Sequence, residues 1–305
     1  MVHIFHRKKK KNRGIKKYSH KDFMTYSFSR RAGVSLLFPA LTLIALFMLM
    51  PFYYLAHYSL QDTNFVITKY VGLGNYREIL NDANIRVLVN TMLYTGIVAA
   101  ITVFIPLAIT CLCYNVPRKW RAFVRFLYYI PVISAGLIIS LAYSWMLKPQ
   151  GMINGLAVML GLPSQTWLNH RFTSIGVVSV IVATGTIGGT LIIYMAAADG
   201  IPRDLLEMAK MDGANHVKTV WRVIIPMMKN TILFISTVSI IGSMGIWEVI
   251  YSMRPPISAH NLMYDVYQTG FEFGHYGLAM AKTVVLVFII IGISFIKRRI
   301  ERRSE

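Results

Sequence analysis

The segment from Pro202 to Pro226 is dense in charge and lies inside a chain of long apolar runs; it reads PRDLLEMAKMDGANHVKTVWRVIIP. Arg203 and Glu207 are four residues apart and Glu207 and Lys210 are three apart, so each pair can meet on one helix face. A polar segment of this kind between two spans is typical of a docking element. We expect recognition here, with no catalytic residue and no metal site in the chain. The alternative is a helical hairpin that only joins two membrane spans.

The local signals in this segment predict two short helices separated by a turn. Pro202 suits a first helical turn, and Asp204 places negative charge near the helix N-terminus. Gly213 is typical of a residue that ends a helix in the left-handed conformation. Asn215 can cap a second helix, which we expect Pro226 to close. The first helix should span about 202–212.

The composition indicates a membrane protein. Hydrophobic residues make up 55% of the chain, charged residues 15%, and the mean hydropathy is +0.51. A spanning helix needs about 20 mostly apolar residues. Six stretches qualify, and they predict an all-α membrane protein with spans at about 34–58, 88–114, 122–147, 173–196, 230–253 and 276–296.

The distribution of basic residues predicts the orientation. Lys and Arg are concentrated before the first span, in the loop after the second and after the sixth, whereas the opposite loops hold few. By the positive-inside rule both termini are cytoplasmic. The net charge of +19 then reflects orientation, and no nucleic-acid partner is expected.

Three parts of the chain follow from this topology. Residues 1–31 form a basic cytoplasmic tail, expected to be flexible, which could also hold anionic lipid headgroups. Residues 32–300 form the six-helix domain, with an inner loop at about 197–229, and residues 301–305 form a cytoplasmic C-terminus.

Two small-residue patterns lie within the spans. Cys111 and Cys113 are two residues apart on one helix and point to different sides, so we expect neither a disulfide nor a metal site. Gly185 and Gly189 form a G-x-x-x-G pair, which favours close helix packing.

The charged segment resembles a known family motif. Glu207, Met208 and Ala209, followed by Gly213 and by an apolar triplet before Pro226, resemble the EAA loop, E-A-A-x-x-x-G-x(9)-I-x-L-P. That loop marks the permease subunits of type I ABC importers that depend on a binding protein. Met208 replaces the first alanine of the motif, and the triplet carries two conservative replacements.

Other stretches are similar to the carbohydrate branch of the same family, so that the resemblance covers about residues 34–296. They are Val71–Tyr76, Asn90 and Thr91 with Tyr94, Gly151, Ile153 and Asn154, Leu160–Leu162, Trp167 and Leu168, and a last set formed by Tyr264–Tyr267, Gly270 and Tyr276–Ala281. The last of these is similar to the subgroup associated with oligosaccharide import.

The resemblance implies that the first helix of the loop is a coupling helix on a cytoplasmic ATPase. The residues implied in this coupling are Arg203, Glu207, Met208, Ala209, Asp212, Gly213 and Pro226. The chain has no G-x-x-x-x-G-K-[ST] sequence, so ATP and Mg would be bound by the partner ATPase dimer. A second homologous permease, an external solute-binding protein, a sugar and membrane lipids are the other implied partners, in a bacterial or archaeal-type plasma membrane.

Polar residues within the spans are candidates for the solute pathway. Trp247 could stack on a pyranose face while the Glu248 carboxylate accepts hydrogen bonds from hydroxyl groups. Lys282 should either extend outward to the interface or pair with Glu248. Asn90, Tyr94 and Ser243 are further candidates, although each can equally form a helix–helix hydrogen bond.

The resemblance therefore implies the permease subunit of an ATP-driven importer for a sugar, with an oligosaccharide as the expected solute and no covalent chemistry of its own. The same architecture could import another solute such as glycerol phosphate. A stand-alone secondary transporter is the alternative from another class, but carboxylates in the middle of the spans are lacking. A structural membrane anchor leaves the ordered loop unexplained.

Overall fold

The computed structural model describes residues 30–134 and 136–303, with side chains described for residues 37–134 and 136–301. The predicted tail at residues 1–31 lies outside these residues except for its last two positions. The chain divides into two units, Met1–Tyr54 and Leu55–Glu305. In the first unit, helix α1 (Arg30–Ile44) is followed by a π turn (Ala45–Leu49), after which helix α2 (Met50–Tyr58) begins.

The second unit is mostly helical and contains one short hairpin that the sequence analysis did not predict. Strands β1 (Gln61–Thr63) and β2 (Thr68–Tyr70) are antiparallel, with Gln61 opposite Tyr70. The helices that follow are α3 (Gly74–Ile79), α4 (Asp82–Cys113), α5 (Arg118–Ile133), α6 (Gly136–Met146), α7 (Met152–Met159), α8 (Arg171–Asp199), α9 (Arg203–Met211), α10 (His216–Thr219), α11 (Ile225–Met227), α12 (Lys229–Met244), α13 (Glu248–Met253), α14 (Leu262–Tyr267) and α15 (Tyr276–Arg303). Three single turns complete the list: π turns at Val220–Ile224 and Gln268–Glu272 and a 3-10 turn at Ile257–Ala259.

Four described helical segments are long and apolar enough to span a membrane without a break: Leu37–Tyr58, Asp82–Cys113, Arg171–Asp199 and Tyr276–Glu301. Two bent pairs, α5 with α6 and α10–α11 with α12, raise the number to as many as six if each pair is one span. The predicted third span is therefore divided into two helices that lie at 94° to one another.

The predicted fifth span is shorter than expected. It should run to about Met253, but α12 ends at Met244 and α13 begins only at Glu248. Gly245 ends the helix, and the side-chain amide of Asn261 donates to the Ile246 carbonyl at 2.7 Å. Because a side chain satisfies a carbonyl that the broken helix leaves free, the break is stable.

Helices α4 and α8 form the most extensive helix pair, and α5 and α12 pack against them. One apolar cluster, around Tyr94, Ile175 and Ile250, fills the end of the bundle near α13 and α14. A second cluster, around Leu107, Tyr194 and Ile224, fills the end near α9–α11. Cys111 and Cys113 are free thiols, as predicted.

Close packing of α8 depends on a different glycine from the predicted pair. A Cβ on Gly188 would lie 2.2 Å from the Tyr128 carbonyl oxygen of α5. A Cβ on Gly185 or Gly189 would meet nothing within 4 Å. The G-x-x-x-G face is therefore open within the described chain, and the adjacent Gly188 makes the close contact.

The hairpin of β1 and β2 is held in place by Asn75, which lies in the Val71–Tyr76 stretch that is similar to sugar permeases. The Asn75 side-chain amide donates to the carbonyls of Ser59 and Gln61, each at 2.9 Å. Gly277, at the start of α15, also lies against β1, since a Cβ there would be 1.8 Å from the Gln61 carbonyl oxygen. These contacts join the hairpin to the beginning of the last span.

Candidate functional site

The polar loop, residues 202–228, contains the predicted first helix. Helix α9 spans Arg203–Met211, within one residue of the predicted ends. Pro202 lies one position before the helix, with a φ of −55°. Its ring fixes the entry of the chain into the helix without removing an intrahelical hydrogen bond.

The end of α9 is a Schellman turn, as the sequence predicted. Gly213 has a φ of +72°, a conformation that a residue with a Cβ adopts only with strain. The Gly213 N–H donates to the Lys210 carbonyl at 3.0 Å, and the Ala214 N–H donates to the Ala209 carbonyl at 2.9 Å. These bonds satisfy the last carbonyls of α9 and fix the direction of the chain after it.

The second helix of the polar loop begins as predicted and ends differently. The Asn215 side-chain oxygen accepts a hydrogen bond from the Lys218 N–H at 2.9 Å. Pro226 does not close the helix, however, because it lies inside α11, and the 69° bend follows at Met228. The preceding π turn pairs the Ile225 N–H with the Val220 carbonyl, so the hydrogen-bond register has already shifted where the proline N–H is missing.

The charged face of α9 borders a cavity of about 480 Å³ that also contacts the turn between α4 and α5. Arg203, Glu207 and Lys210 all line it. Within the described residues neither predicted ion pair of Glu207, with Arg203 or with Lys210, forms. The Glu207 carboxylate is exposed and is therefore available to an external partner.

A second face of α9 is exposed and carries two methionines together with Asp204. Met208 is 59% exposed and Met211 is 87% exposed, and they are three residues apart on the helix. Met208, which departs from the family motif, therefore lies on an exposed surface, where an unbranched thioether can adapt to the shape of a neighbouring group.

An ion-pair cluster that the sequence analysis missed fixes the start of the polar loop. Asp199, the last residue of α8, pairs with Arg121 and, at 2.8 Å, with Arg125, both on α5. These arginines were read only as orientation charges. Their spacing of four residues, with a carboxylate at the end of another span, is the signal that could have revealed the cluster.

Several pathway candidates instead make internal polar contacts in two groups, which together will be called the buried polar network. The first group is Asn90, Thr91, Tyr94 and Arg171, and the second is Asp265, Thr269 and Lys282. Asn90 is fully buried, and its amide donates to the carbonyls of Ser258 at 2.9 Å and His260 at 2.7 Å. Its side-chain oxygen accepts from Arg171 Nε at 2.9 Å. Asn90 thus has no group left for a solute.

Tyr94 and Thr91 hold the same loop. The Tyr94 hydroxyl donates to the Ala259 carbonyl at 3.1 Å, and the Thr91 hydroxyl accepts from the Leu262 N–H at 2.9 Å. Burial lowers the pKa of nearby His260 from its ordinary value, so the ring stays neutral near pH 7. These bonds fix the segment before α14 onto α4.

Lys282 forms neither of the two predicted contacts. It is 5% exposed, its Nζ lies 2.6 Å from Asp265 Oδ2, and it donates to the Thr269 hydroxyl at 2.9 Å. Because α14 packs directly on α15, Asp265 lies within reach of Lys282. The pair compensates a charge that would otherwise be costly to bury.

Trp247 and Glu248 are the two candidates that keep accessible surface; Ser243 is buried and donates to the Ile240 carbonyl. Trp247 stacks on Tyr267 with ring centroids 4.6 Å apart, and Tyr267 contacts Tyr251 at 5.5 Å. Glu248 is exposed at the first residue of α13, where the helix dipole favours a carboxylate. Phe271, 5.5 Å from Tyr267, extends this aromatic cluster, which the sequence analysis did not assemble.

The site offers no arrangement for metal binding among the residues that the structure describes, since no group of three or more His, Cys, Asp or Glu side chains could hold an ion. Its exposed groups are of types that can dock a partner at the polar loop and make polar–aromatic contact near α13.

Comparison with known proteins identifies the family. The model of the binding-protein-dependent transport system inner membrane component matches residues 105–305. The chain belongs to this family, and it is a multi-pass plasma-membrane transport component rather than an enzyme. This membership sets aside the stand-alone secondary transporter and the membrane anchor.

Three relatives illustrate the likeness. The arabinooligosaccharides transport system permease protein AraP of Bacillus subtilis is 26% identical over 239 residues, covering 76% of each chain. The lactose transport system permease protein LacF of Rhizobium radiobacter is 25% identical over 268 residues, covering 85% of this chain and 90% of the relative. A bacterial ABC transporter involved in the import of the acidic polysaccharide alginate shares the fold, with a TM-score of 0.79 at 19% identity, covering 93% of this chain and 96% of that one.

Proposed function

We propose that this protein is one permease subunit of a type I ABC importer that moves a sugar, an oligosaccharide in particular, across the plasma membrane. The observation that carries the proposal is the polar loop, where a short helix ends in a fixed turn and presents an unpaired glutamate and exposed methionines. An internal connector would have no need for such a surface. The arabinooligosaccharide and lactose permeases support the choice of substrate class.

The proposed topology has six spans, each bent pair counting as one, with both termini and the polar loop in the cytoplasm. The basic turn between α4 and α5 supports this placement, because Arg118 and Arg121 line the same cavity as α9. Basic residues favour the cytoplasmic side of short loops. The two loops therefore belong to one face of the membrane.

In this proposal α9 is the coupling helix that lies in a groove of a separate ATPase subunit, which binds ATP and Mg. Glu207 supplies the polar anchor, with Arg203 and Asp212 as further charged contacts. Met208 and Ala209 supply apolar contact, while Gly213 and Pro226 set the direction of the chain after the helix. A second, homologous permease completes the translocation pathway, and an external solute-binding protein delivers the solute.

The proposed pathway surface is narrower than the sequence suggested. Trp247 and Glu248 are assigned to solute contact, since they keep accessible surface beside an aromatic cluster. Asn90, Tyr94, Ser243 and Lys282 are assigned to support, because internal bonds occupy their polar groups. An aromatic face with a nearby carboxylate suits a sugar, which has both apolar and hydroxyl surfaces.

The coupling assignment is tested by purifying the chain in detergent and measuring the ATPase that accompanies it. We expect wild type and Lys218→Glu, a charge reversal on the neighbouring helix, to recover the ATPase and a second permease. Glu207→Arg should lose the ATPase. Equal recovery by all three proteins would contradict the assignment of α9.

The substrate class is tested separately, by uptake of labelled solutes into cells that carry wild type or Trp247→Ala. We expect cells with wild type to take up a labelled oligosaccharide. Cells with Trp247→Ala should take up less of it, although the subunit complex remains intact. Uptake of glycerol phosphate but no sugar would overturn the substrate class and leave the importer architecture standing.

A further inference from the structure

The cavity between α9 and the turn after α4 is strongly charged. It will be called the basic cavity, and its charged lining residues are Arg118, Arg121, Asp199, Arg203, Glu207 and Lys210. Its volume of about 480 Å³ is sufficient for a small polar group together with water. It lies at the membrane end that the proposed function assigns to the cytoplasm.

The charges of the basic cavity do not cancel. The Asp199 carboxylate is already paired with Arg121 and Arg125. Across the described residues, no carboxylate lies within ion-pair distance of Arg118, Arg203 or Lys210. Three unpaired cations therefore face one unpaired carboxylate, that of Glu207, and the cavity should attract an anion.

The local helix geometry adds to this positive potential. Helix α5 has 16 residues and begins at Arg118, and no side chain caps its N-terminus. Pro117, the residue before it, also lines the basic cavity. The positive end of the α5 dipole therefore adjoins the cavity.

Aromatic residues near the start of α5 indicate where the basic cavity lies relative to the membrane surface. Trp120 is 63% exposed and Phe123 is 54% exposed, and their rings meet edge to face at 6.3 Å. Both follow Arg118 on the same helix. Exposed Trp residues concentrate at the headgroup level of a bilayer, and Trp120, two residues after Arg118, indicates that the basic cavity lies close to that level.

We propose that the basic cavity binds the phosphate of an anionic membrane lipid, with Arg118 as a principal contact. The inference rests on the proposed function for the cytoplasmic placement of this end. Anionic lipids attract basic residues at the cytoplasmic leaflet. A bound headgroup would join the turn before α5 to α9, and so would help to hold the coupling helix in place.

The test compares Arg118→Gln with Lys119→Gln, a matched loss of charge at an adjacent exposed residue that does not line the cavity. The complex is purified with its lipids, and phosphatidylglycerol and phosphatidylcholine retained per permease are measured by native mass spectrometry. We expect wild type and Lys119→Gln to retain phosphatidylglycerol in preference to phosphatidylcholine. Arg118→Gln should bind it about fivefold more weakly, because it loses a basic residue that lines the cavity and contacts the phosphate, whereas Lys119 does not line it.

Equal retention of phosphatidylglycerol by wild type, Arg118→Gln and Arg118→Glu would overturn the proposal, as would equal retention of the two lipids by wild type. A titration of the lipid-stripped complex with inorganic phosphate distinguishes a lipid headgroup from free phosphate as the ligand. If free phosphate bound as tightly as phosphatidylglycerol, the lipid assignment would be overturned. The ATPase that co-purifies is recorded in the same preparations. Its absence from wild type would contradict the proposed function, whereas the lipid result concerns the cavity alone.

Discussion

The polar loop and the buried polar network use similar residue types in opposite ways. In the network, Asn90 and Lys282 bond to groups of their own chain. In the polar loop, Glu207 is exposed and forms no ion pair with a described residue. The network holds the segments around α14 on the spans, and the loop presents its groups outward.

This difference shows how polar residues in a membrane protein should be interpreted. Burying an unpaired polar group at membrane depth costs free energy. Such a group therefore pairs with the nearest available partner, which here is another part of the same chain. At an aqueous surface the cost is small, so unpaired charge can be kept for a partner. Substitutions in the network should therefore affect stability, and those in the loop should affect assembly.

The largest expected effect is that of Lys282→Met. The substitution leaves Asp265 partly buried without its cation, and we expect a loss of about 3–5 kcal/mol in the free energy of unfolding. Unfolding in detergent, followed by tryptophan fluorescence, measures it. Lys69→Met, on exposed strand β2, is the control and should change stability by about 0.5 kcal/mol or less.

A double variant sharpens the same prediction. Lys282→Met with Asp265→Leu removes both charges and should recover most of the lost stability, since an apolar pair of similar volume can replace a buried ion pair. If Lys282→Met alone were as stable as wild type, the pair would not be structural, and the contrast with the polar loop would fail.

Asn90→Leu should cost about 3 kcal/mol, because it leaves the Ser258 and His260 carbonyls and Arg171 Nε without their partner. The same unfolding measurement applies. Ser243→Ala is a suitable comparison, since it removes only one bond within a helix and should cost about 1 kcal/mol or less. Equal stability of Asn90→Leu and wild type would return Asn90 to the candidates for solute contact.

Gly188→Ala should cost about 2 kcal/mol through a clash with the backbone of α5. Gly185→Ala and Gly189→Ala place a methyl group in open space and should leave stability unchanged or raise it by up to about 1 kcal/mol. The thermal midpoints of the three variants in one detergent give the comparison. A greater loss in Gly189→Ala than in Gly188→Ala would contradict the packing of α5 on α8.

The smallest expected change in stability is that of Glu207→Gln, at about 0.5 kcal/mol or less, since the side chain is exposed and unpaired. We nevertheless expect this variant to recover less of the ATPase than wild type in a pull-down. A marked loss of stability would show that Glu207 belongs to the fold of its own chain, and the contrast between the two regions would disappear.

Much of the fold could be predicted from local sequence signals. The spans around α4, α8 and α15, the α9 helix, the turn at Gly213 and the cap at Asn215 all follow from apolar length or from the preference of one residue type. The helix end that we expected at Pro226 lies at Met228 instead, and the break at Gly245 was not predicted. Both depend on hydrogen bonds that the linear pattern does not specify.

For the same reason, only part of the candidate site could be predicted from the sequence. The pairing of Asp199 with Arg121 and Arg125 joins residues more than 70 positions apart, and Asn90 reaches carbonyls about 170 positions away. Only packing of the spans brings such groups together. The candidates Trp247 and Glu248 keep accessible surface just beyond the end of α12, an end that the sequence did not indicate.

The sequence by itself determined that this protein crosses a membrane, that basic residues favour one orientation, and that an EAA-like loop forms two short capped helices. These properties depend on apolar length, charge and local backbone preference, which are readable from neighbouring residues. Only the tertiary structure decided which polar groups remain free. Each buried group must find a partner, and whether that partner is the chain itself or another molecule depends on which distant segments the packing brings within hydrogen-bond reach.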